Sequence, residues 1–316
     1  MKRTFVAAIG SGFGDVLISL PVVQSLIDTE EHVILVTRSF RQLGIAERVV
    51  GLQGEVSESK LNLTTGDRYV NLREHPLQTD YVWGSAEFEA QFGKTNLERI
   101  IANIASDFGI KTDFSRLTPL SFERINDLSE AFAFVPGTDG FYKHWPHENW
   151  LRLHKKLRRQ GRRIIVVGKP DESPAVQRLL SAGLEHFQTE TAGSAIDVIS
   201  SCAAVISVDT GLMHTAIQQG IPTYAFMHPQ NFHTRSNANC FNFLAQQCPE
   251  KCLRDFTPKA GYADSSGLEV GLKFDQRECS LPIEENCMGV IRTDDVIELL
   301  EKHGRLRAMT ASAEED

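Results

Sequence analysis

Three short segments carry the residues of this chain best suited to chemistry. The first is Gly10-Ser-Gly-Phe-Gly14-Asp15, directly after the apolar run Thr4 to Ile9. Glycines in such a turn let a ligand approach the backbone, and amides at the start of the next helix attract anions. A dinucleotide loop would read G-x-G-x-x-G. Gly10 and Gly12 fit that pattern, but Asp15 stands in the third place, where a carboxylate repels pyrophosphate. NAD or FAD binding is therefore disfavoured. Asp15 suits a general base instead, taking a proton from a hydroxyl as that oxygen attacks an anomeric carbon. The competing reading is a helix cap without chemistry.

The second segment, Pro136-Gly-Thr138 through Lys143-His144-Trp145-Pro146, follows another apolar run. Thr138 and neighbouring amides can hold phosphate oxygens, and Lys143 can neutralise a diphosphate leaving group as it gains charge. Alternatively Trp145-Pro146 is a packed helix entry and Lys143 a solvated charge. The third is Ser207-Val-Asp209-Thr210-Gly211-Leu-Met-His214. A strand ending at Asp209 and a helix starting at once give Thr210 and Gly211 a hydroxyl and amides for a diphosphate. His214, one turn in, can contact phosphate or sugar, while Asp209 suits orienting amides or sugar hydroxyls. Asp-Thr-Gly also occurs in aspartic proteases, but the surroundings are wrong and no second copy exists.

These segments sit on a repeated strand–turn–helix rhythm. Strands are predicted at Thr4 to Ile9, His32 to Thr37, Val49 to Leu52 and Tyr69 to Leu72, with helices at Asp15 to Asp28 and Leu97 to Phe108. After the polar stretch Ser121 to Glu130 the rhythm restarts with strands Ala131 to Val135, Arg163 to Val167, Ala203 to Val208 and Thr223 to Met227. Helices His147 to Gln160, Pro174 to Ser181, Ala195 to Ser201 and Gly211 to Gln219 alternate with them, and Asp294 to Lys302 reads as a last amphipathic helix. The expectation is an α/β chain of two Rossmann-like, doubly wound parallel-sheet domains facing a cleft. Residues 1–128 form the first, 129–293 the second, and 294–316 a helix with an acidic tail. At 316 residues two domains are the natural prior. A net charge of −8 without a long basic block disfavours nucleic acid. No signal peptide and no membrane-length apolar run are seen, so a cytoplasmic location is expected, with contact at the inner membrane face left open.

Taken together, Gly14-Asp15-Val16-Leu17 with Leu20-Pro21, Lys143-His144-Trp145-Pro146, and Asp209-Thr210-Gly211-Leu212 with His214 resemble glycosyltransferase family 9, the ADP-heptose-type lipopolysaccharide heptosyltransferases. The resemblance covers about residues 4 to 229. It implies a GT-B fold, inversion at the anomeric carbon, no catalytic cofactor, and an acceptor-binding first domain facing a nucleotide-sugar-binding second domain. It implies Asp15 as base, with Thr138, Lys143, Thr210, Gly211 and His214 around the diphosphate and sugar. Asp171 or Glu172 falls where the family holds a ribose. Gly12, Gly14, Arg38, Arg41 and Arg73 are the acceptor-side candidates. The implied donor is a nucleotide-diphosphate sugar, ADP-heptose in first place. The implied acceptor is a glycan, a lipopolysaccharide core or a protein. A nucleotide-sugar 2-epimerase and a non-catalytic scaffold are the alternatives.

Six cysteines are present, four of them at Cys248, Cys252, Cys279 and Cys287. Two thiolate pairs can hold a structural zinc or iron that pins an extended loop. Some relatives in the wider heptosyltransferase group carry a comparable set, and the protein O-heptosyltransferases bind iron with theirs. Buried thiols or disulfides are the other readings. Cys202 and Cys240 read as isolated structural cysteines.

Overall fold

A computed structural model describes residues 2–30, 32–39, 42–80, 86–93, 95–138, 143–171, 173–227, 234–245 and 286–306. The first half holds a parallel four-stranded sheet in the order β3-β2-β1-β4, from β1 (Thr4–Ala7), β2 (Val33–Thr37), β3 (Glu55–Ser57) and β4 (Arg68–Asn71). Its helices are α1 (Phe13–Ile27), α2 (Pro76–Thr79), α3 (Ala86–Phe92) and α4 (Leu97–Asp107). The second half holds a parallel six-stranded sheet in the order β10-β9-β8-β5-β6-β7. Its strands are β5 (Phe132–Val135), β6 (Ile164–Val167), β7 (Glu185–Phe187), β8 (Ala204–Val208), β9 (Thr223–Met227) and β10 (Cys240–Leu244). The accompanying helices are α5 (His147–Arg159), α6 (Pro174–Ser181), α7 (Ala192–Ser201), α8 (Gly211–Gln218) and α9 (Thr293–Lys302).

The strand runs are apolar because both faces of each sheet are covered; β5, β6, β8 and β9 are buried at every position. Counted from β5, the second sheet has the Rossmann order 3-2-1-4-5-6, so its strand order reverses between β5 and β8. The first sheet reverses between β1 and β4. Ligand crevices of open α/β sheets lie at the carboxyl ends of strands at such reversals. These are the places the Gly10 turn and the Thr138 and Asp209 segments occupy.

Helix α1 explains how the halves meet. It is apolar nearly all round, burying Val16, Leu17, Leu20, Val22, Val23 and Leu26. A helix with no polar face is covered on all sides. Here the first sheet packs one side and α8 of the second half packs another. Pro21 within α1 has no N–H to give Leu17, its partner one turn back. Gln218 of α8 supplies the missing donor, Nε2 to the Leu17 carbonyl at 3.2 Å, while its Oε1 accepts from the Thr118 amide at 2.9 Å. Gln219 accepts from Leu120 N–H and donates to its carbonyl. Arg48 of the first half forks onto Asp197 of α7 at 2.9 and 3.1 Å.

Two expectations change. Val49 to Leu52 is not a strand: Val49 makes one antiparallel bridge to Leu120, and the sheet is completed later by Glu55–Ser57. Gly51 and Gly54 adopt positive φ, 88° and 148°, which turns the chain out of extension between them. β7 and β10 form at the two sheet edges from stretches with no strand pattern. The C-terminal helix packs on α5 within the second half, joined by a Lys156–Asp294 ion pair. Trp145 is fully buried, donates Nε1–H to the Ile291 carbonyl at 2.9 Å and stacks near Trp150 and Phe226. The packed helix entry is therefore the correct reading of Trp145-Pro146. Among the described residues no helix is long and apolar enough to cross a membrane.

Candidate active site

The site forms where the starts of α1 and α8 meet. The two helix N-termini are so close that a Cβ on Gly14 would stand 3.0 Å from the His214 ring and 3.4 Å from Gly211 Cα. A Cβ on Gly211 would stand 2.4 Å from the Phe13 ring and 3.2 Å from the Gly14 amide. A side chain at Gly211 would force Phe13 to move, and one at Gly14 would press on the His214 ring. Two positive helix ends face each other, and each has a carboxylate beside it: Asp15 in the first turn of α1, and Asp209 just before α8.

Asp15 is at the third helical position. Its Oδ2 accepts the Gly12 N–H at 2.6 Å, so the capping reading is structurally real. A side chain at Gly10 would collide with that carboxylate. Burial pushes the Asp15 carboxyl above the ordinary aspartate range. The Gly12 N–H, His214, Arg73 and Lys143 pull the other way. A buried carboxylate with raised proton affinity and cations around it fits a base as well as a cap.

In the second half, Asp209 organises the donors. Its Oδ2 lies 2.7 Å from Lys143 Nζ and its Oδ1 3.6 Å from His214 Nε2. Thr138 Oγ1 donates to the Asp209 carbonyl at 3.1 Å, tying the β5 loop to the end of β8. Thr210 is extended before the helix, and Met213 N–H makes the first bond back to Thr210 O. The Gly211 and Leu212 amides thus precede the helical ladder, as in an anion-binding N-terminus. Burial lowers the His214 pKa, Asp209 opposes, and Arg235 adds to the lowering.

The structure therefore brings together Gly12, Gly14, Asp15, Thr138, Lys143, Asp209, Thr210, Gly211 and His214. Arg73 is buried next to them, donating to the Gly10 carbonyl at 3.2 Å and pairing with Glu58 at 3.3 Å. Arg38 also meets Glu58, at 3.3 Å. The two candidate acceptor arginines among the described residues thus converge on one carboxylate, and Arg73 braces the glycine turn. Asp171 is exposed after β6, two residues from Ser173, against which Gly137 packs. Arg41, Glu172, Cys248, Cys252 and Cys279 lie outside the described residues. Cys287 is buried in the second core beside Met288, and Cys202 and Cys240 are buried free thiols. Among the described residues no cluster of His, Cys, Asp and Glu forms a metal site. A hollow of about 600 Å³ lined by His75, Phe92, Asn103 and Asp107 opens elsewhere in the first half, and touches none of the site residues.

Sequence reasoning missed several supports. Gln42 Nε2 donates to the Gly10 carbonyl at 2.8 Å, its Oε1 accepts from Arg38 N–H, and Ser39 donates to the Ser11 carbonyl at 2.6 Å. Arg235 and Glu98 form a buried pair at 2.5 Å behind His214. Nothing local announces them: Ser39, Gln42 and Arg235 lie in irregular segments without periodicity, and Glu98, in the first turn of α4, has its partner far off in sequence.

Comparison with known proteins agrees with this arrangement. The model of glycosyltransferase family 9 (heptosyltransferase) matches residues 101–255. Lipooligosaccharide heptosyltransferase 2 of Haemophilus influenzae is 31% identical over 125 residues, 37% of this chain and 35% of that protein. The aligned stretch thus spans about a third of the curated relatives' length. Among solved structures, the glycosyl transferase family 9 of Veillonella parvula superposes with TM-score 0.65 at 16% identity, covering 95% of this chain and 96% of that one. E. coli heptosyltransferase WaaC, solved with ADP-2-deoxy-2-fluoro heptose, gives TM-score 0.59 at 16% identity over 95% and 99%. The two parallel-sheet halves have the GT-B fold of these proteins. The family and these relatives are transferases, and nothing among them supports the epimerase alternative.

Proposed function

We propose that this chain is a member of glycosyltransferase family 9, whose model matches residues 101–255, and that it transfers a heptose from ADP-heptose to a hydroxyl of a lipopolysaccharide-core glycan. The observation that carries this reading is the apposition of Asp15, buried at the start of α1, with Gly211 and His214 at the start of α8 and with Lys143, which reaches Asp209 from the segment before α5. A base and an anion-binding helix end share one seam, each at the strand-order reversal of its own sheet.

In the proposed reaction the acceptor oxygen attacks the anomeric carbon while Asp15 takes its proton. The bond from that carbon to the diphosphate oxygen breaks on the opposite face, and ADP departs with the electron pair. Inversion follows from this single displacement. The departing diphosphate gains charge, which the Gly211 and Leu212 amides, the Thr210 hydroxyl and Lys143 stabilise. Asp209 orients Lys143 and His214 for that role, and Thr138 holds the β5 loop beside them. Asp171 and Glu172 are proposed on the ribose side. Gly12, Gly14, Arg38, Arg41 and Arg73 are proposed on the acceptor side, where an anionic core sugar would draw Arg38 away from Glu58. A cytoplasmic site, at the inner membrane face where such cores are built, accompanies this proposal.

The reaction asks for no catalytic cofactor, since side chains and helix amides supply base and leaving-group stabilisation. Cys248, Cys252, Cys279 and Cys287 are proposed to hold a structural zinc or iron ion. Elemental analysis of the purified protein should find about one such ion per chain. Cys248→Ser with Cys252→Ser should abolish it, and metal-free native protein would remove the proposal.

The activity test pairs purified protein with ADP-, UDP-, GDP- and CMP-sugars, with and without heptose-deficient lipopolysaccharide core. ADP release that needs both ADP-heptose and acceptor is expected. Thermal stabilisation by ADP-sugars alone, without transfer to any glycan, protein or lipopolysaccharide-core acceptor, would replace this reading by a binding scaffold.

A further inference from the structure

We infer that Glu98 and Arg235 are positioning residues that hold His214 as the neutral imidazole protonated on Nε2, and that they do so only while the two halves of the chain are apposed. Arg235 Nη1 lies 2.7 Å from His214 Nδ1. A guanidinium has only donors and does not lose its proton in proteins. The short contact therefore requires a lone pair on Nδ1, and the ring proton must sit on Nε2. That nitrogen points at Asp209 Oδ1, 3.6 Å away, on the side of the α8 N-terminus.

Arg235 is fixed on every side. Its side chain is 0% exposed, and Nε meets Glu98 Oε1 at 2.5 Å. Its Nη2 donates to Asn237 Oδ1 at 3.3 Å. Its amide and carbonyl are both bound by the Asn242 side chain. The other Glu98 oxygen accepts the Ser236 N–H at 3.1 Å. Glu98 belongs to α4 of the first half, whereas Arg235, Asn242 and His214 belong to the second. The counter-ion that makes a buried guanidinium tolerable thus comes from across the seam. Drawing the halves apart removes it, and with it the orientation of the fork on His214.

The charged groups around the ring compete. Asp209, beside the α8 N-terminus, favours a second ring proton; Arg235 and Lys143 oppose it, and burial opposes it most. Asp15 approaches from α1. With Nδ1 committed to Arg235, His214 acts as a single N–H donor from Nε2 and does not serve as a base there. On the proposed transfer reaction this aims one neutral donor at a diphosphate or sugar oxygen. The tautomer itself does not depend on that reading.

The test is nitrogen NMR of protein labelled with 15N-histidine, with a His214→Gln sample to assign the resonance. In the unaltered protein Nδ1 should have the shift of an unprotonated ring nitrogen and Nε2 that of an N–H, unchanged between about pH 6 and 8, the window in which an ordinary histidine titrates. The double variant Glu98→Gln/Arg235→Met removes both charges and leaves no orphan ion. In it the two nitrogens should move toward the tautomer average, because the donor that commits Nδ1 is gone. A doubly protonated ring at pH 7, or a proton on Nδ1, in the unaltered protein overturns the inference, and that spectrum decides even if the variant does not fold. A folded double variant with the native nitrogen pattern also overturns it. Loss of sugar transfer with the native pattern intact counts against the proposed reaction and not against this assignment.

Discussion

Asp15→Asn separates the two jobs assigned to this residue. The carboxylate accepts the Gly12 N–H at 2.6 Å while buried at the seam. Asparagine keeps an oxygen of the same reach, so the cap survives. Alanine leaves that N–H without its partner, at a cost of about 1–3 kcal/mol. Burial raises the Asp15 pKa, so the carboxylate form is the disfavoured one in the fold. Its penalty is absent below the unfolded-state value and grows as pH rises toward the folded-state value. At neutral pH the Asn variant should therefore be as stable as the native chain or more so. Turnover should behave differently. A positioned general base contributes about 10²–10⁴ in rate, roughly 3–5 kcal/mol of barrier. A neutral side chain beside an anionic donor leaves ADP affinity unchanged or tighter. The assay is acceptor-dependent ADP release, run beside ADP titration and a melting curve. Turnover within tenfold of native, or a loss that follows weakened ADP binding or a lowered melting midpoint, would refute the base assignment. In the native protein, activity should fall on the acid side through a pKa above the ordinary aspartate range, and that limb should vanish with Asn.

His144 and His214 are both buried and both held neutral, His144 down to about 4 by burial and the neighbouring His147. Depressed values give stability that is complete above the unfolded-state value of about 6.5 and lost as pH falls through the folded-state one. Denaturation by urea at pH 7 and pH 4.5 should show this loss, with His144 contributing about 2–3 kcal/mol and His144→Gln flattening the dependence. Gln218→Leu should lower stability by about 2–4 kcal/mol, because both the Leu17 carbonyl and the Thr118 amide lose a buried partner. A Gln218→Leu protein as stable as the native one would mean that the Leu17 carbonyl, left without a helical donor by Pro21, needs no help from the second half.

Much of the fold was legible in the chain itself. Strands buried on both faces must be apolar throughout, so Phe132–Val135, Ala204–Val208 and Thr223–Met227 announced themselves. Glycine turns that open helices marked the Asp15 and Gly211 sites for the same local reason. Edge elements were harder to read: Glu185–Phe187 is exposed or half-buried along its length, and β10 is buried only at Cys240, so neither had a pattern to show. The false strand at Val49 to Leu52 had an apolar run, but the chain leaves extension at Gly51, whose φ is positive.

What the residue order determined alone was the set of chemical parts: a carboxylate after one glycine turn, a lysine, and an amide-rich helix start after another. Tertiary structure alone decided that these parts face one another, that Arg38 and Arg73 share Glu58, and that Glu98 stands behind His214 through Arg235. Backbone propensity and hydrophobic period act over a few residues and so leave a trace in the sequence. A hydrogen bond between residues 98 and 235 depends on how two separately folded sheets dock, and neither neighbourhood encodes it.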